Sequence, residues 1–68
     1  MKAIIFLAEG FEEIEAIAPI DILRRGGIEV ITVSISNKNE VYGSHGIPVK
    51  ADALFKEIDF STADLLCL

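Results

Sequence analysis

Lys2-Ala3-Ile4-Ile5-Phe6-Leu7-Ala8-Glu9-Gly10-Phe11-Glu12-Glu13-Ile14-Glu15-Ala16 is the stretch on which the fold of this chain turns. Lys2 to Leu7 is a continuous apolar run rather than an alternating one, the pattern of a parallel strand covered by helices on both faces. A helical pattern follows, so Leu7 to Ala16 spans the turn between a buried strand and a helix. In open α/β sheets such turns lie at the carboxyl ends of strands, where ligands and catalytic groups collect.

This turn holds four glutamates, Glu9, Glu12, Glu13 and Glu15, and a single glycine, Gly10. A phosphate cradle needs glycines that let backbone N–H groups approach the anion, with the positive end of the helix aimed at it. Four carboxylates would repel a phosphate. Dinucleotide or phosphate binding is therefore disfavoured here.

Outward from the turn, Ile14, Ile17, Ala18 and Leu23 recur at helical spacing between Phe11 and Arg25 and give a broad apolar face. Glu12 and Glu13 open this helix and Arg24 and Arg25 close it, each suiting the helix dipole, and Gly26-Gly27 stops it. Pro19 lies inside the pattern and cannot donate to the carbonyl of Glu15, four residues back, which predicts a kink or restart. Two readings stand: the break fixes how Glu15 points, or it is an ordinary kink in an early turn. Ile28 to Ile35 is rich in β-branched residues and makes a second strand, reached by a right-handed crossover. Strand, helix and strand form the βαβ unit of a parallel sheet. Ser36 to Glu40 reads as a surface loop. Val41 to Ser44 and Ile47 to Lys50 form a hairpin around His45-Gly46, placed at the sheet edge because Pro48 lacks a ladder donor. Ala51 to Phe60 reads as a turn or short helix, and Ser61-Thr62-Ala63 leads into a last buried strand, Asp64 to Leu68.

Sixty-eight residues make one domain at most, and a domain of this size buries only about 60% of the surface its unfolded chain exposes. A hydrophobic content of 51% suits elements covered on both faces better than a free-standing miniprotein. The last strand has the character of a central one, which further elements normally follow. Residues 1–68 are therefore expected to be the N-terminal part of a single domain whose remainder lies outside this chain. A net charge of −5, with Arg24-Arg25 the sole adjacent basic pair, argues against a nucleic-acid partner. There is no apolar stretch long enough for a membrane span and no basic n-region of a secretory signal. One cysteine cannot form an internal disulfide, which favours a reducing, cytoplasmic setting.

Each candidate for chemistry has a plain alternative. His45, the single histidine, has nothing beside it in sequence to orient it as a base or complete a metal site, and reads as a solvent-exposed loop residue. Cys67 sits in an apolar strand, where a free cysteine behaves as a small hydrophobe. Glu9, Glu12 and Glu13 are explained by a solvated turn and a favourable helix start. Their spacing scatters them around the helix, so no metal site is expected from them. Glu15 is the exception, near the strand's carboxyl end between apolar Ile14 and Ala16. It is either a surface salt-bridge carboxylate or a carboxyl drawn into an apolar site, where such a group takes up a proton and can donate a hydrogen bond.

Gly10-Phe11-Glu12-Glu13-Ile14-Glu15, followed by Pro19-Ile20-Asp21-Ile22-Leu23-Arg24-Arg25, resembles the opening of the ThiJ/PfpI superfamily, most closely its DJ-one branch. The resemblance covers all 68 residues, since the hairpin region and closing strand also fit in order. It implies an α/β flavodoxin-like three-layer sandwich with a parallel central sheet, here an N-terminal βαβ-containing fragment, and a homodimer in which the first helix takes part. It further implies a reactive cysteine at a sharp strand-to-helix turn, with Glu15 matching the glutamic acid that hydrogen-bonds its thiolate. Such a bond favours the ionised sulfur and guides its oxidation to sulfinate. Cys67 does not match the family's nucleophile, being inside the strand rather than after it, and the family's Pro-Gly-Gly turn after the closing strand is missing. The implied activity is glyoxalase- or deglycase-like action on small carbonyl compounds, needing no metal or organic cofactor, with a redox-sensing stress chaperone as the alternative. The isolated segment is expected to be inactive.

Overall fold

A computed structural model describes residues 1–67 of the chain. Strand β1 (Lys2–Leu7) is its axis, hydrogen-bonded in parallel to β2 (Glu29–Ser34) from Lys2↔Glu29 to Leu7↔Ser34. On its other side it pairs in parallel with β6 (Leu65–Cys67), Ala3 opposite Leu65 and Ile5 opposite Cys67. A short strand, β5 (Ala53–Leu54), extends the far side of β2, giving a parallel sheet in the order β5-β2-β1-β6. The chain thus moves to one side of β1 and returns to the other. That reversal of order makes the crevice at the carboxyl ends of β1 and β6 a topological switch point, as in flavodoxin-like α/β folds.

The two-residue period of β1 explains the two layers around it. Ala3 and Ile5 meet Ile20 of helix α1 (Glu13–Arg25) and Val30 in one buried cluster, joined by Leu23, Ile28 and Cys67. Leu7 closes a second cluster with Val41 and Ala51, against Phe11, Ala16 and Val49. On the opposite pleat Phe6 lies against Phe55 and Phe60, with ring centroids 5.1–6.1 Å apart among the three and all pairs tilted, a geometry aromatic quadrupoles favour. The first two of the expected three layers are therefore α1 and the sheet. The far face carries the aromatic trio and two single-turn 3₁₀ segments, Phe55–Glu57 and Phe60–Thr62.

Several expectations change in detail. α1 begins at Glu13 rather than Phe11, because Phe11 stays extended in a bridge to Gly43. It runs through Pro19 as one helix without a restart. The hairpin, β3 (Glu40–Tyr42) and β4 (Pro48–Lys50), is not at the edge of the main sheet but forms a separate two-stranded unit. Among the described residues β6 is an edge strand, with Leu66 53% exposed; Leu68 lies outside the described residues. The helix end is tied down as the dipole argument anticipates. Arg25 pairs with Asp21 one turn back at 3.0 Å, while Arg24 donates to the Val30 carbonyl and to Asp52 at 2.9 and 3.1 Å. Among the described residues no helix is long and apolar enough to cross a membrane.

Candidate functional site

The site grows from the turn after β1. Gly10 has φ = +86°, a conformation that costs glycine little and other residues much, and it bends the chain back toward the hairpin. There its N–H donates to the Tyr42 carbonyl at 2.8 Å, and the Ser44 N–H donates to the Phe11 carbonyl at 2.8 Å. Glu12 then caps α1: its carboxylate accepts the Ile14 N–H at 3.3 Å and its carbonyl accepts the Ala16 N–H at 3.0 Å.

Glu13, expected to be solvated, is instead one of the most enclosed polar residues of the described chain, 7% exposed. Its carboxylate accepts the His45 N–H at 2.8 Å through one oxygen and faces His45 Nδ1 at 2.8 Å through the other. The approach is possible because position 43 is glycine: a Cβ there would overlap the Glu13 carboxylate. The His45 side-chain hydrogen bond, with backbone N–H bonds adding to it, outweighs burial and holds the Glu13 carboxyl at about 2 rather than its ordinary 4.5. Reciprocally, the hydrogen bond and charge of Glu13, with the Glu12 charge behind them, raise the His45 imidazole above its ordinary 6.5. His45 is exposed as expected, its side chain 69% accessible, yet it does have an orienting partner, which corrects the sequence reading. That partner lies 32 residues away in sequence, and no local pattern announces it.

Glu12, Glu13 and His45 bring one ligand-type atom each within 4.8 Å of the others. Both Glu13 oxygens and His45 Nδ1 are already engaged, so Glu13 and His45 form a hydrogen-bonded clamp with Glu12 3.9 Å from the ring nitrogen, and a cation would have to displace the shared proton.

Glu15 lies on the other side of the helix start. It is exposed to a cavity of about 380 Å³ walled by Phe6, Phe11, Glu12, Ala16, Pro19 and Cys67 at the β1–β6 switch point. Glu15 is thus an exposed residue at the rim of a cavity that it shares with Glu12 and with mainly apolar side chains. Among the described residues no ion pair holds it. Cys67 is half-buried within β6 and contributes to the wall of this cavity as well as to the core. The turn therefore divides its carboxylates by role: Glu12 caps the helix and lines the cavity, Glu13 clamps, and Glu15 lines the cavity without capping. Glu9 reaches the hairpin, accepting the Tyr42 N–H at 3.3 Å.

The clamp has a pH signature. The depressed Glu13 value contributes stability that is present above 4.5 and lost as pH falls toward about 2. The raised His45 value contributes stability that is present below 6.5 and lost as pH climbs through the folded-state value. The difference in melting temperature between the natural protein and His45→Gln is therefore expected to be largest near pH 5.5 and to shrink toward both pH 2.5 and pH 9. A difference constant across that range would exclude a charged clamp.

Comparison with known proteins agrees with this fold. The chain is 43% identical over 67 residues to Protein DJ-1 homolog B of Arabidopsis thaliana, covering 98% of this chain and 15% of that protein. It is 37% identical over 68 residues to Deglycase TK1284 of Thermococcus kodakarensis, covering all of this chain and 40% of the relative. The solved structure of oxidized Toxoplasma gondii DJ-1 superposes with a TM-score of 0.91 at 40% identity, covering 96% of this chain and 35% of that one. The chain thus spans well under half the length of these relatives. The family model for the DJ-1/PfpI family matches residues 1–68, and the chain belongs to that family.

Proposed function

We propose that this segment is the N-terminal part of a cysteine-dependent enzyme acting on reactive carbonyls in a glyoxalase- or deglycase-like manner. The nucleophilic cysteine would come from the part of the domain outside this chain. The observation that carries this reading is the place of Glu15: a carboxylate exposed to an apolar cavity at the switch point of a parallel sheet, where an α/β fold assembles its site. The relative from Thermococcus kodakarensis is named a deglycase, which supports the choice of chemistry.

In this mechanism the thiolate sulfur adds to the aldehyde carbon of an α-oxoaldehyde such as methylglyoxal. A C–S bond forms, and the carbonyl electron pair passes to oxygen, which takes a proton. Glu15, as a carboxylic acid, donates a hydrogen bond to the thiolate before attack and gives its proton to the oxygen as the C–S bond forms. The carboxylate so formed takes the proton from the former aldehyde carbon and returns it to the neighbouring one, while the hydroxyl proton of the first carbon passes to the oxygen of the second, leaving a thioester at the cysteine. Water cleaves that thioester, so that one water is added overall, lactate is released and the thiol is regenerated. No oxidant, metal or organic cofactor enters this balance.

A second copy of the chain is proposed as partner. α1 and the hairpin flank a groove of about 650 Å³ in which Ile14, Ile17, Ile47 and Val49 present apolar surface, with Ile14 76% exposed. We propose a cytoplasmic location, on the one cysteine of this segment, which cannot form a disulfide within it. The alternative, a redox-sensing stress chaperone, is favoured by the oxidized state in which the Toxoplasma relative was solved. The test is turnover of methylglyoxal by the complete protein with and without Glu15→Leu. A loss of about 10²-fold or more with the fold intact is expected. Unchanged turnover with altered cysteine oxidation would favour the sensor.

A further inference from the structure

We propose that Glu13 is the positioning residue of this site: by clamping the hairpin it sets the angle at which the first turn of α1 presents Glu15 to the cavity. The inference rests on the role given to Glu15 above and extends it to a residue on the opposite side of the helix.

Four observations lead there. Two residues apart on a helix of 3.6 residues per turn, Glu13 and Glu15 point about 200° apart, so the face that is gripped and the face that serves the cavity belong to one rigid turn. The grip is strong for so small a domain, since a carboxylate 7% exposed is engaged through both oxygens at 2.8 Å. Such charge-assisted bonds are shorter and stronger than neutral ones. The backbone ladder, by contrast, is weakest at this point. Pro19 supplies no N–H to the Glu15 carbonyl, so the turn that carries Glu15 lacks one of the bonds that would lock its orientation. Finally, the hairpin is itself anchored to the end of β1 through Gly10 and Phe11, at 2.8 Å each. Glu13 closes the circuit from strand end to hairpin to helix. Without it, the first turn keeps its cap at Glu12 but loses its lateral reference.

This arrangement also explains why glycine occupies position 43. The hairpin backbone must come close enough to receive a carboxylate, and a side chain there would displace Glu13 without altering any ionisable group. Gly43→Ala is thus an independent way to open the clamp.

The experiment uses the complete protein and four variants: Glu13→Ala, Glu13→Gln, Gly43→Ala and Glu15→Gln. The nucleophilic cysteine is titrated by thiolate absorbance, and kcat and KM are measured for methylglyoxal beside thermal melting. Glu15→Gln is expected to raise the thiol pKa and lower kcat. Glu13→Ala and Gly43→Ala are expected to shift both in the same direction, with kcat falling about 10- to 100-fold and KM little changed, as for a small misplacement of a catalytic group. Glu13→Gln keeps the shape and the acceptor for the His45 N–H, and is expected to restore most of the natural behaviour. If Glu15→Gln alters the titration while Glu13→Ala and Gly43→Ala change only the melting temperature, Glu13 is structural and this proposal is overturned alone. If Glu15→Gln is itself silent, the role of Glu15 falls and this proposal falls with it. Should Glu13→Ala not fold, Gly43→Ala decides between the same outcomes.

Discussion

Replacement of Ile4 by alanine is expected to lower folding stability by about 2–5 kcal/mol, the range for removing a buried aliphatic side chain and leaving a cavity. Ile4 is fully buried and lies opposite Ile31 on one side and Leu66 on the other, at the centre of the parallel sheet. Three strands would border the void, and hydrogen bonds hold all of them at fixed spacing, so collapse around it is limited. Folded domains have about 5–15 kcal/mol of total stability. The substitution therefore removes a large part of what holds the fold. Urea denaturation checks this against Ile22→Ala, which truncates a side chain 66% exposed. The exposed site should shift the midpoint by no more than about 0.5 kcal/mol equivalent. Equal midpoints for the two variants would show that the β1 core does not carry the fold.

Gly43→Ala is expected to cost about 1–3 kcal/mol, the range for forcing extra volume into a packed site. At about 2–4 °C per kcal/mol for a complete domain of about 150–250 residues, the drop in melting temperature is readily measured. The reason is specific: the new methyl group and the Glu13 carboxylate cannot share the same space. Either the carboxylate swings out and releases the His45 N–H, or the hairpin retreats and strains its bonds to Gly10 and Phe11. Both routes break the clamp, so combining Gly43→Ala with Glu13→Ala should cost less than the sum of the two. Strict additivity in that double-mutant cycle would mean that Gly43 and Glu13 act independently, contrary to the packing described.

How much of this was legible in advance differs residue by residue. The order β1, α1, β2 was readable because a buried parallel strand and an amphipathic helix each write their period locally. The limits of α1 were harder to place. Phe11 continues the helical pattern but is held extended by its bridge to Gly43, a partner 32 residues on. Glu15 stands out in the sequence by its apolar neighbours and by the family resemblance, and the structure sets it, with Glu12, beside a cavity. Glu13 was misjudged, since an acidic residue in the first turn of a helix is fully explained by the dipole and gives no hint of a second duty.

From its own pattern, then, the sequence determined a parallel α/β architecture and the strand-to-helix turn, poor in glycine, that carries the glutamates. These follow from short-range physics: hydrophobic period, capping, glycine content and charge. Only the tertiary structure decided which carboxylate is buried, which faces the cavity, and that His45 has a partner. The burial of Glu13 and the partner of His45 depend on where the hairpin docks, and the cavity beside Glu15 on the pairing of β6 with β1; both are settled by contacts between residues thirty or more positions apart whose energies no local window contains.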